Sequence, residues 1–273
     1  VDASTSRVGI GTTTPTYQLS VVGKIDLNDG GNSVFIGTGA GLNDDTSDNR
    51  NVGVGYQALR NNTTGNNSTA NGYRALYSNT TGNSNTANGY SALFLNTTGN
   101  NNVANGYQAL YSNTTGTGNT ANGINALLSN TTGNYNVANG YQAGRFIPDK
   151  TTAVTITNNS IFLGYRTSPL ADNQTNQIVI GYDANGIGSN TVVLGNDSIV
   201  TTALKGNVGI GTTAPAAKLE VAGSSGAISG TGITYLNNSD DAFSLVINNA
   251  GNSAQNDRGV FDARVGSSSV FRI

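Results

Sequence analysis

Ser68–Ser84 reads S-T-A-N-G-Y-R-A-L-Y-S-N-T-T-G-N-S, and near copies of it run before and after it in the chain. Gly55, Gly72, Gly89, Gly106, Gly123 and Gly140 mark the period, each lying 17 residues after the last. A unit this short cannot bury a core alone, so it must stack on copies of itself. Within it, Thr69-Ala70-Asn71-Gly72-Tyr73 alternates with period two, as a strand does. Asn79-Thr80-Thr81-Gly82-Asn83 is turn chemistry, because Asn and Gly tolerate positive φ and Asn and Thr side chains bond local backbone. Ala75-Leu76-Tyr77, between them, is too short for a helix and reads as a second short extended piece. The expectation is an all-β fold: an elongated parallel β-solenoid, or β-roll, with one coil of about 17 residues per unit and coils about 4.8 Å apart.

Composition fits that expectation. The chain has 273 residues with 37 Gly, 4 Pro and no Cys, Met, Trp or His; 10% of residues are charged and 36% hydrophobic. So small an apolar share spreads burial thinly along an extended body. The net charge of −2 comes without a basic stripe, which disfavours nucleic acid and anionic membranes as partners. Without Cys there is no disulfide framework or thiolate metal site, and no stretch is apolar enough to cross a bilayer. The opening on Val1 without an initiator Met suggests a piece of a longer chain.

A second repetition brackets the first. Val8-Gly9-Ile10-Gly11-Thr12-Thr13-Thr14-Pro15 returns as Val208-Gly209-Ile210-Gly211-Thr212-Thr213-Ala214-Pro215, with Leu19, Val21 and Gly23 matched by Leu219, Val221 and Gly223. Each copy reads as strand, Thr-Thr-x-Pro turn, strand. Gly at alternate positions bares one side of the first strand to a close neighbour, expected to be another subunit. Val34-Phe35-Ile36-Gly37 reads as a capping coil, and Phe162-Leu163-Gly164, Val179-Ile180-Gly181 and Val193-Leu194-Gly195 as later coils at intervals of 17 and 14. Arg145–Asn159 is irregular and reads as a surface excursion, and Gly223–Gly232 as a linker. The divisions expected are a β connector over 1–30, the repeat domain over 31–200, a second connector over 201–225, and the start of a truncated small β domain over 226–273.

The units with A-x-G-Y-x-A and N-T-T-G-N resemble the parallel β-roll of trimeric autotransporter adhesin heads. V-G-I-G-T-T-x-P followed by Lys218-Leu219-Glu220-Val221 and Gly223 is similar to the connectors repeated along trimeric phage tail fibres and related bacterial surface fibres. Asp257–Gly266 and Ser269–Ile273 are similar to fibre shafts that continue into a C-terminal intramolecular chaperone. The resemblance spans nearly the whole chain. It implies an intertwined homotrimer, each roll packed about a common axis, with a role in attachment to a host or surface.

Candidate sites are weighed against plainer readings. Val54 stands where Asn71, Asn88, Asn105, Asn122 and Asn139 follow, at a position expected to face inward. Stacked amides there read as a structural ladder that sets register, in preference to an axial polar tube holding water or an anion. Tyr56, Tyr73, Tyr90, Tyr107 and Tyr141 form a row that could stack on glycan. Ile124, which keeps apolar area and loses the ring face, favours packing instead. Leu59, Leu76, Leu93, Leu110 and Leu127 read as core. Asn62, Asn79, Asn96, Asn113 and Asn130 each begin an N-glycosylation acceptor triplet, taken as a by-product of turn chemistry. Asp44-Asp45, Asp48 and Asp240-Asp241 could supply a glycosidase or Ca²⁺ ligands, but lack the spacing and read as solvated turns. No catalytic, cofactor-binding or metal-binding residue and no cofactor is assigned.

The function expected is a non-enzymatic structural fibre protein of a virion tail, located on the virion outside the host cell. As a stiff trimeric rod it would mediate host attachment, with itself, other tail proteins and a host receptor, a glycan among the candidates, as partners and with no nucleic acid or membrane insertion. The alternatives are a bacterial cell-surface trimeric adhesin and a tailspike-like polysaccharide depolymerase.

Overall fold

The computed structural model describes residues 32–45 and 49–215, together with the backbone of strands at 8–10, 19–21, 219–221, 262–265 and 268–272. Two compact units are present, Val1–Ala203 and Leu204–Ile273.

The first unit opens with a parallel pair, β1 (Val8–Ile10) on β2 (Leu19–Val21). It then forms a parallel solenoid of about nine turns. Its ten-stranded sheet runs, in chain order, through β3 (Val34–Ile36), β4 (Val52–Val54), β5 (Thr69–Asn71), β6 (Thr86–Asn88), β7 (Val103–Asn105), β8 (Thr120–Asn122) and β9 (Val137–Asn139). It continues through β11 (Ile161–Leu163), β13 (Gln177–Ile180) and β14 (Thr191–Leu194). A two-stranded side sheet pairs β10 (Thr157–Asn158) with β12 (Gln174–Thr175). Register never slips: Asn71 pairs with Asn88, Asn88 with Asn105, and so on to Asn139 on Leu163. The coil of 24 residues between β9 and β11 keeps its strand in place by absorbing the extra chain in its turns.

The middle residue of each short strand points into the coil. Ala70, Ala87, Ala104, Ala121 and Ala138 are buried there with the Leu59, Leu76, Leu93, Leu110 and Leu127 row and the Ala58–Ala143 row beside it. Each buried Leu contributes roughly 1.5–3 kcal/mol. At both ends the volumes are exchanged between positions. Phe35 and Phe162 take the strand position held elsewhere by Ala, while Gly41 and Gly144 take the position held elsewhere by Leu. A Cβ on Gly41 would lie 2.5 Å from the Phe35 ring, and one on Gly144 3.0 Å from Phe162. The sum of the two side-chain volumes is nearly conserved, which is the substitution a packed core tolerates best.

The segment Ala75-Leu76-Tyr77 is not a second extended piece. It belongs to a turn in which Arg74 has φ 54° and Leu76 φ 51°, and the same left-handed pair recurs at Gln57 and Leu59, Ser91 and Leu93, and Gln108 and Leu110. A branched residue in that region costs about 1–2 kcal/mol. The cost is borne because it turns the Leu side chain inward while giving alternate N–H groups partners on neighbouring coils: Arg74 N donates to Tyr56 O at 2.8 Å, Leu76 N to Ala92 O at 3.0 Å and Ser78 N to Phe94 O at 3.0 Å. Arg145–Asn159 is likewise more than a surface excursion. Phe146 bridges Ala153 antiparallel, and Val154 and Thr157 are buried.

Leu204–Ile273 contains a parallel pair, β15 (Val208–Ile210) on β16 (Leu219–Val221), and an antiparallel pair, β17 (Asp262–Val265) on β18 (Ser268–Arg272). The β15 pairing repeats the register of the first connector, Val208 on Leu219 as Val8 on Leu19. Within the connector the strand folds closely on its own turn: a Cβ on Gly209 would lie 2.7 Å from Thr212 O.

The period Gly is required twice over. At Gly89 φ is +136°, and a Cβ would stand 2.5 Å from the carbonyl oxygen of Gly106 on the next coil. Gly89→Ala is expected to destabilise the roll by more than about 2 kcal/mol in chemical denaturation, as backbone strain and a backbone clash combine. Gly206→Ala, at φ +101° with nothing within 4 Å, meets strain alone and should cost less.

Candidate functional site

Pleating decides where the amides go. With Ala in the middle of each strand facing in, the flanking Asn71, Asn88, Asn105, Asn122 and Asn139 lie on the outer face of the sheet, not inside the coil as their position suggested. Asn71 and Asn139 are exposed and the middle three half-buried. Asn88 Nδ2 donates to Asn105 Oδ1 and Asn105 Nδ2 to Asn122 Oδ1, both at 2.8 Å.

The buried amides are two other rows. In the first, Asn62, Asn79, Asn96, Asn113 and Asn130, the openers of the N-T-T triplets, are wholly buried. Asn79 Nδ2 donates to Asn62 Oδ1, Asn96 Nδ2 to Asn79 Oδ1 and Asn113 Nδ2 to Asn96 Oδ1, each at 2.8 Å. The second N–H of each closes its own turn, as Asn79 Nδ2 does on Gly82 O at 2.9 Å. Positive φ falls beyond the triplet, at Asn67, Ser84 and Asn101, so Asn79 is held by burial and bonding and not by tolerance of φ. Gly82 is demanded by space, since a Cβ would lie 2.4 Å from Gly99 O. Burial of these amides leaves no room for a sugar on the folded chain. Asp44 terminates the row: its Oδ1 accepts from Asn62 Nδ2 and from Asn49 Nδ2, both at 2.9 Å.

The second row precedes the strands. Asn85, Asn102, Asn119 and Asn136 are buried, and each side-chain oxygen accepts the backbone N–H of its successor: Asn102 N to Asn85 Oδ1, Asn119 N to Asn102 Oδ1 and Asn136 N to Asn119 Oδ1, all at 3.0 Å. Asn51 and Ser160 serve the same purpose for Ser68 N and Gln177 N. Asn at both positions was visible in most repeats, with Ser68 the exception in the second row, but turn chemistry and amide ladders leave the same mark in a sequence.

Aromatic rows cover the outside. Tyr56, Tyr73, Tyr90 and Tyr107 stack with centroids 4.9–5.2 Å apart, and beyond Ile124 the stack resumes with Tyr141, Tyr165 and Tyr182. The rings of the row are 38–46% exposed at Tyr56 to Tyr141. Their faces, which a sugar would use, are taken by one another, leaving edges outward. A second stack, Tyr77, Phe94 and Tyr111, runs parallel in the chain, and the Arg74 guanidinium sits 5.2 Å from Tyr73 and 5.5 Å from Tyr77.

Among the described residues no group of three or more Asp, Glu, His or Cys could hold a metal ion. Asp44 and Asp45 are tied to Asn49, and Asp48 and Asp240-Asp241 lie outside the described residues. Two carboxylates organise the excursion instead. Bonds from the Thr152 hydroxyl and from the Thr151 and Thr152 N–H groups hold Asp149 down at about 2. Burial pushes Asp172 up, but bonds from the Thr155 hydroxyl and the Ile156, Asn173 and Thr155 N–H groups outweigh it and leave that pKa low. No family model, curated protein or solved structure matches the chain.

Replacement of one buried amide should be costly: Asn96→Ala orphans the Asn79 and Asn113 amides at once and is expected to lose at least about 1–3 kcal/mol in urea unfolding. Asn88→Ala, on the outer face of the isolated chain, should stay within about 0.5 kcal/mol. Because the Asp149 and Asp172 pKa values are depressed on folding, their stabilisation is complete above the ordinary carboxylate pKa near 4 and is lost as pH falls through the folded values. The Thr151 and Thr152 amide shifts in NMR should therefore titrate with a midpoint near 2, and a midpoint near 4 would refute the capping role.

Proposed function

We propose that the chain is a segment of a trimeric, non-enzymatic fibre of a virion tail that carries attachment to a host surface. The observation that carries this reading is the outer face of the ten-stranded sheet. It presents two straight rows of side chains, with no described residue of the chain packed over them as a layer. Val52 and Val137 in one row, and Ile36 and Leu194 in the other, are exposed apolar residues, with the Asn71–Asn139 amides between the ends. Thr69, Thr86, Val103 and Thr120 fill the first row between Val52 and Val137, and a long unlayered face that mixes apolar, hydroxyl and amide side chains in straight rows fits an interface with copies of itself. Three copies about one axis would bury it, give the outward amides partners in other chains, and leave the aromatic rows and turns outside. Repetition of one outer surface then suits weak contacts made many times over, in which avidity replaces affinity. The bacterial surface adhesin differs from this in what anchors the fibre, not in the physics of the rod.

Sedimentation equilibrium is expected to return three times the chain mass of 27.8 kDa. Replacement of Val52 and Val137 by Asp should shift the mass toward the monomer and abolish adsorption of the labelled protein to host cells. A wild-type protein that is monomeric at micromolar concentration would refute the trimer. Release of oligosaccharides from isolated surface polysaccharide would refute the non-enzymatic reading.

A further inference from the structure

The hairpin of Arg145–Asn159 places one lysine against two later coils. Lys150 Nζ donates to Arg166 O at 3.0 Å, to Ser168 Oγ at 2.7 Å and to Asn185 Oδ1 at 2.8 Å, and lies 3.0 Å from Asp183 Oδ1. The lysine side chain is only 15% exposed. Asp183 Oδ1 is itself buried, although the Asp183 side chain as a whole is 40% exposed, and the Lys150 ammonium is the partner it meets. An amine, a carboxamide and a carboxylate thus converge in one half-buried cluster. With a carbonyl bond of about 1.2 Å, Nζ can be no more than about 4 Å from the Asn185 carbonyl carbon, close to the separation of a near-attack pair.

We propose that Lys150 and Asn185 are joined by an intramolecular isopeptide bond, with Asp183 moving the proton. Asp183 takes a proton from the Lys150 ammonium, and the freed lone pair attacks Cγ of Asn185. The bond from Cγ to Nδ2 breaks as Asp183 returns the proton to the departing nitrogen, and the former lysine nitrogen, which still carries two protons, gives one of them up to the released ammonia. One ammonium and one primary carboxamide become one secondary amide and one ammonium ion; charge and atoms balance, and no oxidant or cofactor takes part. Arg166 O and Ser168 Oγ are positioning groups that aim the amine. The reaction need occur only once in the life of a chain, so precise placement suffices without rapid turnover. An open cavity of about 500 Å³, walled by Pro148, Leu170, Ile187 and Val193, reaches Asp183 and Asn185 and provides the exit for ammonia. The product ties the excursion to the last coils of the roll across 35 residues, where the 17-residue period has already broken down.

Intact mass spectrometry of the folded, full-length chain should show a loss of about 17 Da, one ammonia per chain. Succinimide formation at an Asn-Gly step gives the same loss, so the tryptic map decides. Acylated Lys150 resists trypsin, and residues 146–166 should appear covalently joined to residues 167–205. Lys150→Arg, which keeps the charge and donors but cannot attack, and Asp183→Asn, which removes the base, should each restore the sequence mass, with circular dichroism confirming that both fold. The proposal is overturned by a wild-type chain at its sequence mass with normal cleavage after Lys150, or by a loss of ammonia that persists in Lys150→Arg. Cross-linking that persists in Asp183→Asn would overturn the role of the carboxylate.

Discussion

Neighbouring coils of the roll approach so closely at the period Gly that no Cβ fits between them, and the rest of the structure depends on that approach. From Gly55 to Gly164 each added Cβ would meet the next coil's carbonyl oxygen at 2.1–2.5 Å. Only Gly can adopt the φ of +130° to +143° at these positions. Once the backbones are this close, every residue must lie directly above its counterpart one coil away. A coil that drifted by one position would put side chains where the contact permits none.

Stacking in register converts each choice of side chain into a row, and a row succeeds or fails as a whole. Apolar rows of Ala and Leu fill a core only a few atoms wide. Such a core is thin for the length of chain it supports, and the two buried Asn rows supply what it lacks. An amide can donate to one neighbour and accept from another, so in a column each satisfies the next, and the desolvation penalty that makes a lone buried amide unfavourable falls only on the ends. The Asn62–Asn130 column ends on Asp44, which accepts from Asn62, and on Thr157 N, which donates to Asn130; the Asn85–Asn136 column passes through Ser160 to the backbone of Gln177, whose own buried side-chain amide carries the penalty of the end. The outward Asn and Tyr rows obey the same geometry without burial.

The same logic explains where the pattern is abandoned. Phe35 with Gly41, and Phe162 with Gly144, preserve core volume while exchanging the positions that provide it, so the last regular coils end without a void. Beyond them the chain inserts the hairpin around Lys150, whose three hydrogen bonds and one ionic contact fasten successive coils that no longer share a common length. Lys150 attracted no notice in the sequence because a lone lysine in an irregular segment has no spacing to mark it.

Period and composition by themselves determined a great deal: parallel stacking, the strand at Thr69–Asn71 and its counterparts, the Leu row as core and the variable length of the later coils. Those properties follow from rows, and a row is visible in any sequence that repeats. Which Asn row is buried was decided only in three dimensions. Four successive repeats carry Asn at three positions, as at Asn79, Asn85 and Asn88, and the sequence ranks none of them above the others. The left-handed turn at Arg74 and Leu76 replaces the second strand and rotates the coil, so that Asn79 and Asn85 face in and Asn88 faces out. The sign of φ at a non-Gly residue is set by the bonds that the coils above and below offer its backbone, and those bonds exist only once the coils have stacked.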